Sequence, residues 1–249
     1  MSFAGGHRVG RRARKISVVA GTLAGLCGIF LSGGRPLVAA LGALAVVLAT
    51  NRSTLQWMYA LPAADITRRA FRVAVYLLPW AVVGPPRLTA GPAALAAGVV
   101  IAIPPLAAEW RSIGFSLRRD VLRGMPIDAV RRTQDLITFS LGGAAQEYLY
   151  RWVLLVPLLA WNAVAAVGAS AVLFAVEHHL HLNGSRTWDR QDVAVHLYLG
   201  VALGAAVWLT GSLTVALVAH TLYNLPNVLH TALRPAPVRA GALEEATTR

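Results

Sequence analysis

The stretch LITFSLGGAAQEYLYRWVLLVPLLA, residues 136–160, decides how this chain folds. It is apolar throughout except for one polar patch, and its only formal charges are Glu147 and Arg151. An apolar run of about 20 residues or more crosses a bilayer as a helix. In a helix, residues four apart share a face, so Glu147 and Arg151 can pair. A paired ion is tolerated at bilayer depth where a lone one is not. The stretch therefore predicts a membrane helix with an internal ion pair, and Gln146 stands beside that pair.

Working outward, seven more apolar runs appear. They cover about residues 16–31, 37–50, 73–85, 90–108, 163–182, 193–210 and 212–231. The run at 37–50 is short for a span. Charged residues make up 14% of the 249-residue chain, against about 25% in soluble domains. An apolar fraction of 56% excludes a disordered chain. The predicted fold class is an all-α polytopic membrane helix bundle of about eight transmembrane helices. Pro85-Pro86 and Pro104-Pro105 are positions where helices can break. With Cys27 as the sole cysteine, no intrachain disulfide and no cysteine-based zinc site can form.

The formal charge of +12 comes from 23 cations, all Arg except Lys15. A basic protein can be a nucleic-acid binder or a membrane protein with cationic loops. The distribution separates the two. With the N-terminus inside, the inner segments are 1–15, 51–72, 109–135, 183–192 and 232–249. The outer turns near 33–36, 86–89, 161–162 and 211 carry only Arg35 and Arg87. That is the asymmetry of the positive-inside rule. No basic patch interleaves with aromatics as base stacking requires, so nucleic acid is not an expected partner. The predicted organisation is N-terminal membrane helices over 1–110 and a basic cytoplasmic connector over 111–135. A four-helix core follows over 136–231, then a disordered tail over 232–249. Both termini are expected in the cytoplasm. The near absence of Lys points to a GC-rich coding sequence and so to a bacterial cell membrane.

Polar residues at membrane depth concentrate in the second half. Three clusters stand out, each with partners one helical turn apart. The first is Gln146-Glu147-x-x-x-Arg151, the second Phe174-x-x-x-His178, and the third His220-x-x-x-Asn224. Glu177 sits about 100° around its helix from the face of Phe174 and His178 and is open to a second partner. His196 also lies in this half. Taken singly, each cluster has a structural reading: an ion pair or polar pair locking helices together, or histidines reaching toward water at a helix end.

In this order, the three clusters resemble the CPBP intramembrane protease family, which includes the type II CAAX prenyl endopeptidases and bacteriocin-processing proteins. Its motifs read EExxxR, FxxxH and HxxxN, each on a membrane helix. The resemblance covers about residues 136–231, including Thr210-Gly211-Ser212-Leu213 before the third motif. It implies a peptide hydrolase acting through activated water on a membrane-associated peptide or protein. His178 would be the water-binding base, with His220 and Asn224 the oxyanion donors. Phe174 and Glu177 would support the site, and Glu147 with Arg151 would orient the helix. This chain departs from the pattern at two places. Trp152 follows the Arg where the family usually has Gly. More importantly, Gln146 stands where the family has its first Glu. An amide can hold a water but cannot take its proton.

Three readings follow. One is an endopeptidase in which His178, aided by Glu177, is the sole base. Another is a catalytically silent relative that binds a peptide or membrane partner. The third is a transporter component lined by the polar cluster. No cofactor is required. Zinc is open through His178 and His220 with a third ligand, although no HExxH helix is present.

Overall fold

The computed structural model describes residues 4–50, 62–182 and 190–237. It is all-helical, with no strand among the described residues. Helices α1 (Ala4–Phe30) and α2 (Pro36–Ala49) form a hairpin. Its turn contains Gly33 and Gly34, whose φ angles of 59° and 78° suit glycine. A Cβ on Gly25 would lie 2.5 Å from the Gly42 carbonyl oxygen, so the two backbones touch. Small residues permit such crossings between membrane helices.

Helix α3 (Pro62–Leu77) leads through Leu78-Pro79 into the short α4 (Trp80–Val83). It begins before the apolar run at 73, so Arg68, Arg69 and Arg72 are helical and not part of a loop as expected. A non-helical link containing Pro85-Pro86 follows, then α5 (Pro92–Ser116) and α6 (Arg119–Gly124). Pro104-Pro105 does not break α5. Close packing supports the helix nearby: a Cβ on Gly98 would lie 2.6 Å from the Val218 side chain.

The deciding stretch lies in a continuous helical segment from Ala129 to Leu159. It comprises α7 (Ala129–Ile137), a π-helical stretch Thr138–Gly142, α8 (Gly143–Glu147), a second π stretch Tyr148–Leu155, and α9 (Val156–Leu159). Such widened turns occur often at functional sites. The remaining helices are α10 (Ala163–Leu182), α11 (Arg190–Thr210) and α12 (Thr214–Leu233).

By length and composition, α5 and α11 can cross a membrane. Ser17–Phe30, Pro36–Ala49 and Ala163–His178 are shorter apolar segments. Outward faces carry large apolar side chains such as Val100, Ile103, Trp208 and Leu209. Leu213 N donates to Arg87 O at 3.0 Å, joining the turn before α12 to the link before α5. Arg69 bonds Asp135 at 2.8 Å, joining α3 to α7.

Ile127 N donates to Pro235 O at 2.9 Å, and Arg234 also binds the carbonyls of Met125 and Pro126. The start of the expected disordered tail is thus pinned to the connector, because its free carbonyl and guanidinium find backbone partners there. Residues 238–249 of that tail lie outside the described residues, as do Arg52 and most of the 183–192 loop.

Helices α10 and α11 meet at Gly200, where a Cβ would lie 2.7 Å from Ala171 Cα. Gly200→Val should cost about 1–3 kcal/mol, because the backbone of α10 cannot yield as a flexible side chain would. Thermal unfolding in detergent checks this; an unchanged midpoint would mean that the helices separate freely.

Candidate functional site

Glu147 and Arg151 are fully buried (0% exposed) and pair as the spacing predicts, Arg151 Nε donating to Glu147 Oε2 at 3.1 Å. Arg151 Nη1 donates to Ser170 Oγ at 2.7 Å, and Ser170 in turn donates to Tyr150 O at 3.1 Å. The guanidinium carbon lies 4.9 Å from the centroid of the Phe174 ring. The Glu147 carboxylate also reaches across to α12. Its Oε1 accepts from His220 Nδ1 at 2.6 Å. The pair therefore does more than orient its own helix: it holds the histidine of the third motif.

On the other side of His220, the ring faces Gly143. A Cβ at that position would lie 2.9 Å from His220 Nε2 and 3.0 Å from Asn224 Nδ2. Both nitrogens thus pack side by side against the glycine backbone. Asn224 Nδ2 also donates to Phe139 O at 3.1 Å, which fixes the amide and leaves its second N–H.

Phe174 lies among three imidazoles. His178 packs on it with centroids 4.3 Å apart, and His220 meets it edge-on at 6.1 Å. His196, from α11, stacks on His178 at 4.3 Å. His178 Nδ1 donates to Phe174 O at 3.0 Å, and His196 Nδ1 to Asp192 O at 2.7 Å. Each of these rings, when neutral, therefore keeps a bare Nε2.

A second buried ion cluster surrounds Glu177. Its carboxylate pairs with Arg72 and accepts from Tyr76 OH. Arg72 Nε donates to Tyr76 OH at 2.7 Å. Gln146 Nε2 lies 3.3 Å from Tyr76 OH and 3.4 Å from Glu177 Oε2. Adjacent residues of one helix thus serve different clusters, Gln146 this one and Glu147 that of His220. The amide suits its place: it can donate to a carboxylate, whereas an ionised Glu would face Glu177 as a like charge.

One expectation changes. The polar centre is not built by the last four helices alone, because α3 supplies Arg72 and Tyr76. Glu177 hydrogen-bonds Arg72, Tyr76 and Gln146 and acts on His178 only through space. Among the described residues, no three or more His, Cys, Asp or Glu side chains form a group suited to a metal, so His178 and His220 lack a third ligand there. His196 and Gly143 are further additions. A signal for Arg72 was present, since Tyr76 lies one turn on along the same face. For Gly143 there was none, because its meaning depends on α12.

The described residues form a helical bundle with apolar outer faces and buried ion pairs at its centre. Residues 133–226 match the family described as type II CAAX prenyl endopeptidase Rce1-like. The match falls on the motif-bearing segment and agrees with the resemblance to the CPBP/CAAX protease family. No curated protein and no solved structure gave a match.

Proposed function

We propose that this chain is an intramembrane endopeptidase that uses water to hydrolyse a peptide bond in a membrane-associated protein or peptide. The observation that carries this reading is the convergence of His220 Nε2 and Asn224 Nδ2 on Gly143. Peptide hydrolysis needs a proton acceptor for water and a fixed donor for the developing oxyanion. Imidazole and amide supply those two functions. The family match over the same helices supports the substrate class. The proposed topology is eight spans with both termini on the Arg-rich cytoplasmic side.

Gln146 favours a second reading, a catalytically silent relative that binds a peptide or membrane partner. The two are separated by assaying the purified protein on farnesylated and unmodified fluorogenic peptides. Cleavage by the natural sequence, reduced at least tenfold in His178→Ala, is expected. Activity confined to variants with Glu at 146 would instead establish the silent reading. Gln146→Glu alone places two carboxylates together, about 3.4 Å apart by the present contact. The double variant Gln146→Glu/Glu177→Gln removes that repulsion and belongs in the same assay.

A further inference from the structure

Resting on the endopeptidase reading, we infer that His220, oriented by Glu147, is the general base that replaces the missing first-motif carboxylate. The resemblance assigns His220 only to the oxyanion; the geometry points to an earlier role. A contact of 2.6 Å between His220 Nδ1 and Glu147 Oε1 requires a proton between them. Glu147 already receives Arg151 Nε–H, which favours its ionised form. The proton therefore belongs to Nδ1, and His220, when neutral, presents a bare Nε2 beside Gly143. This is the logic of carboxylate-held histidines in hydrolases: the carboxylate fixes the tautomer and stabilises the imidazolium when it forms.

His178 and His196 also have bare Nε2 atoms, but their Nδ1 atoms donate to backbone carbonyls. Neither ring is hydrogen-bonded to a carboxylate; Glu177 and Asp192 act on them only through space. They rest instead against each other, with Phe174 beside His178. Of the three rings around Phe174, His220 is the one hydrogen-bonded directly to a carboxylate. Gln146 is turned toward Tyr76 and Glu177, and its amide cannot take one.

The step balances as follows. Water loses a proton to His220 Nε2 as its oxygen bonds to the scissile carbonyl carbon. The carbonyl π electrons move to oxygen, and Asn224 Nδ2–H donates to that oxyanion. His220 Nε2–H then delivers its proton to the amide nitrogen as the C–N bond breaks. The products are an amine and a carboxylic acid, which ionises to solvent. His220 is thus base first and donor second, and Glu147 is its positioning residue.

The test combines kinetics with nitrogen-15 NMR of histidine-labelled full-length protein in detergent micelles. The resonance is assigned by its loss in His220→Gln. Neutral His220 should be protonated at Nδ1 and bare at Nε2, and Glu147→Gln should mix the tautomers. On the fluorogenic peptides, His220→Gln retains an amide donor but no base. Its kcat should fall about 10²–10⁴-fold with little change in KM, and His178→Gln should fall less. A proton on Nε2 of the neutral ring would overturn the inference. So would a His220→Gln enzyme within tenfold of wild type, or His178→Gln as the more damaging change. A wild-type protein that cleaves neither peptide would overturn the endopeptidase reading itself and, with it, a catalytic role for His220. The NMR result would then report only on the Glu147–His220 contact.

Discussion

Replacing Glu147 with Ala should lower the unfolding free energy by about 3–5 kcal/mol, the usual cost of leaving one member of a buried ion pair without its partner. The reason lies in what remains for Arg151. Its side chain is fully buried. Without Glu147 it keeps one hydroxyl, Ser170 Oγ at 2.7 Å, and the Phe174 ring at 4.9 Å from the guanidinium carbon. Its Nη2 has no hydrogen-bond partner even with Glu147 present. A desolvated cation over an aromatic face gains about 2 kcal/mol, too little to offset the lost carboxylate. Glu147→Ala/Arg151→Met removes both charges and fills part of the space. That double variant should be more stable than the single one, because an apolar replacement of a buried pair is often neutral. Denaturant unfolding in detergent, followed by tryptophan fluorescence, measures both. A single-variant cost below about 1 kcal/mol, or a double variant no better than the single, would show that the charge finds solvent or another partner.

The same residues show where sequence reading succeeds and where it stops. Glu147 and Arg151 were legible because helical spacing alone brings them together, and the contact is 3.1 Å. Phe174 and His178 were legible for the same reason, with centroids 4.3 Å apart. Helix limits followed the apolar runs from α10 to α12. Arg72 carried a spacing signal with Tyr76, but its burial was not legible, since it closes a run of cations that the positive-inside rule assigns to a loop. Its burial depends on Glu177, more than a hundred residues away. His196 was visible as a polar residue in an apolar helix, but its stacking on His178 is set by the packing of α10 on α11. The same limit applies to the contact of Glu147 with His220. A periodicity argument covers one helix at a time, so the partner of the second carboxylate oxygen lay outside it. The π-helical turns at 138–142 and 148–155 also depart from the 3.6-residue period used to assign faces.

Gly143→Ala should reduce kcat about 100-fold on the fluorogenic peptides while leaving the fold intact. The added methyl would come 2.8 Å from His220 Cδ2, 2.9 Å from His220 Nε2 and 3.0 Å from Asn224 Nδ2. Carbon atoms do not approach neighbours that closely, so the imidazole or the amide must move. Neither moves freely. His220 is held on its far side by Glu147 at 2.6 Å, and Asn224 by Phe139 O at 3.1 Å. A displacement of about 1 Å in a reacting group can cost roughly 10²-fold in rate. Stability argues the other way, because Ala is favoured over Gly within a helix by about 1 kcal/mol. Gains and clashes should therefore leave the unfolding midpoint nearly unchanged, and activity and stability should separate. Gly168→Ala is the matched control: it lies in α10, and a Cβ there meets nothing within 4 Å. It should retain full activity. A Gly143→Ala protein with wild-type kcat would show that the placement of His220 and Asn224 against Gly143 takes no part in the reaction. A Gly143→Ala protein that unfolds would show that the glycine serves packing between α8 and α12 instead.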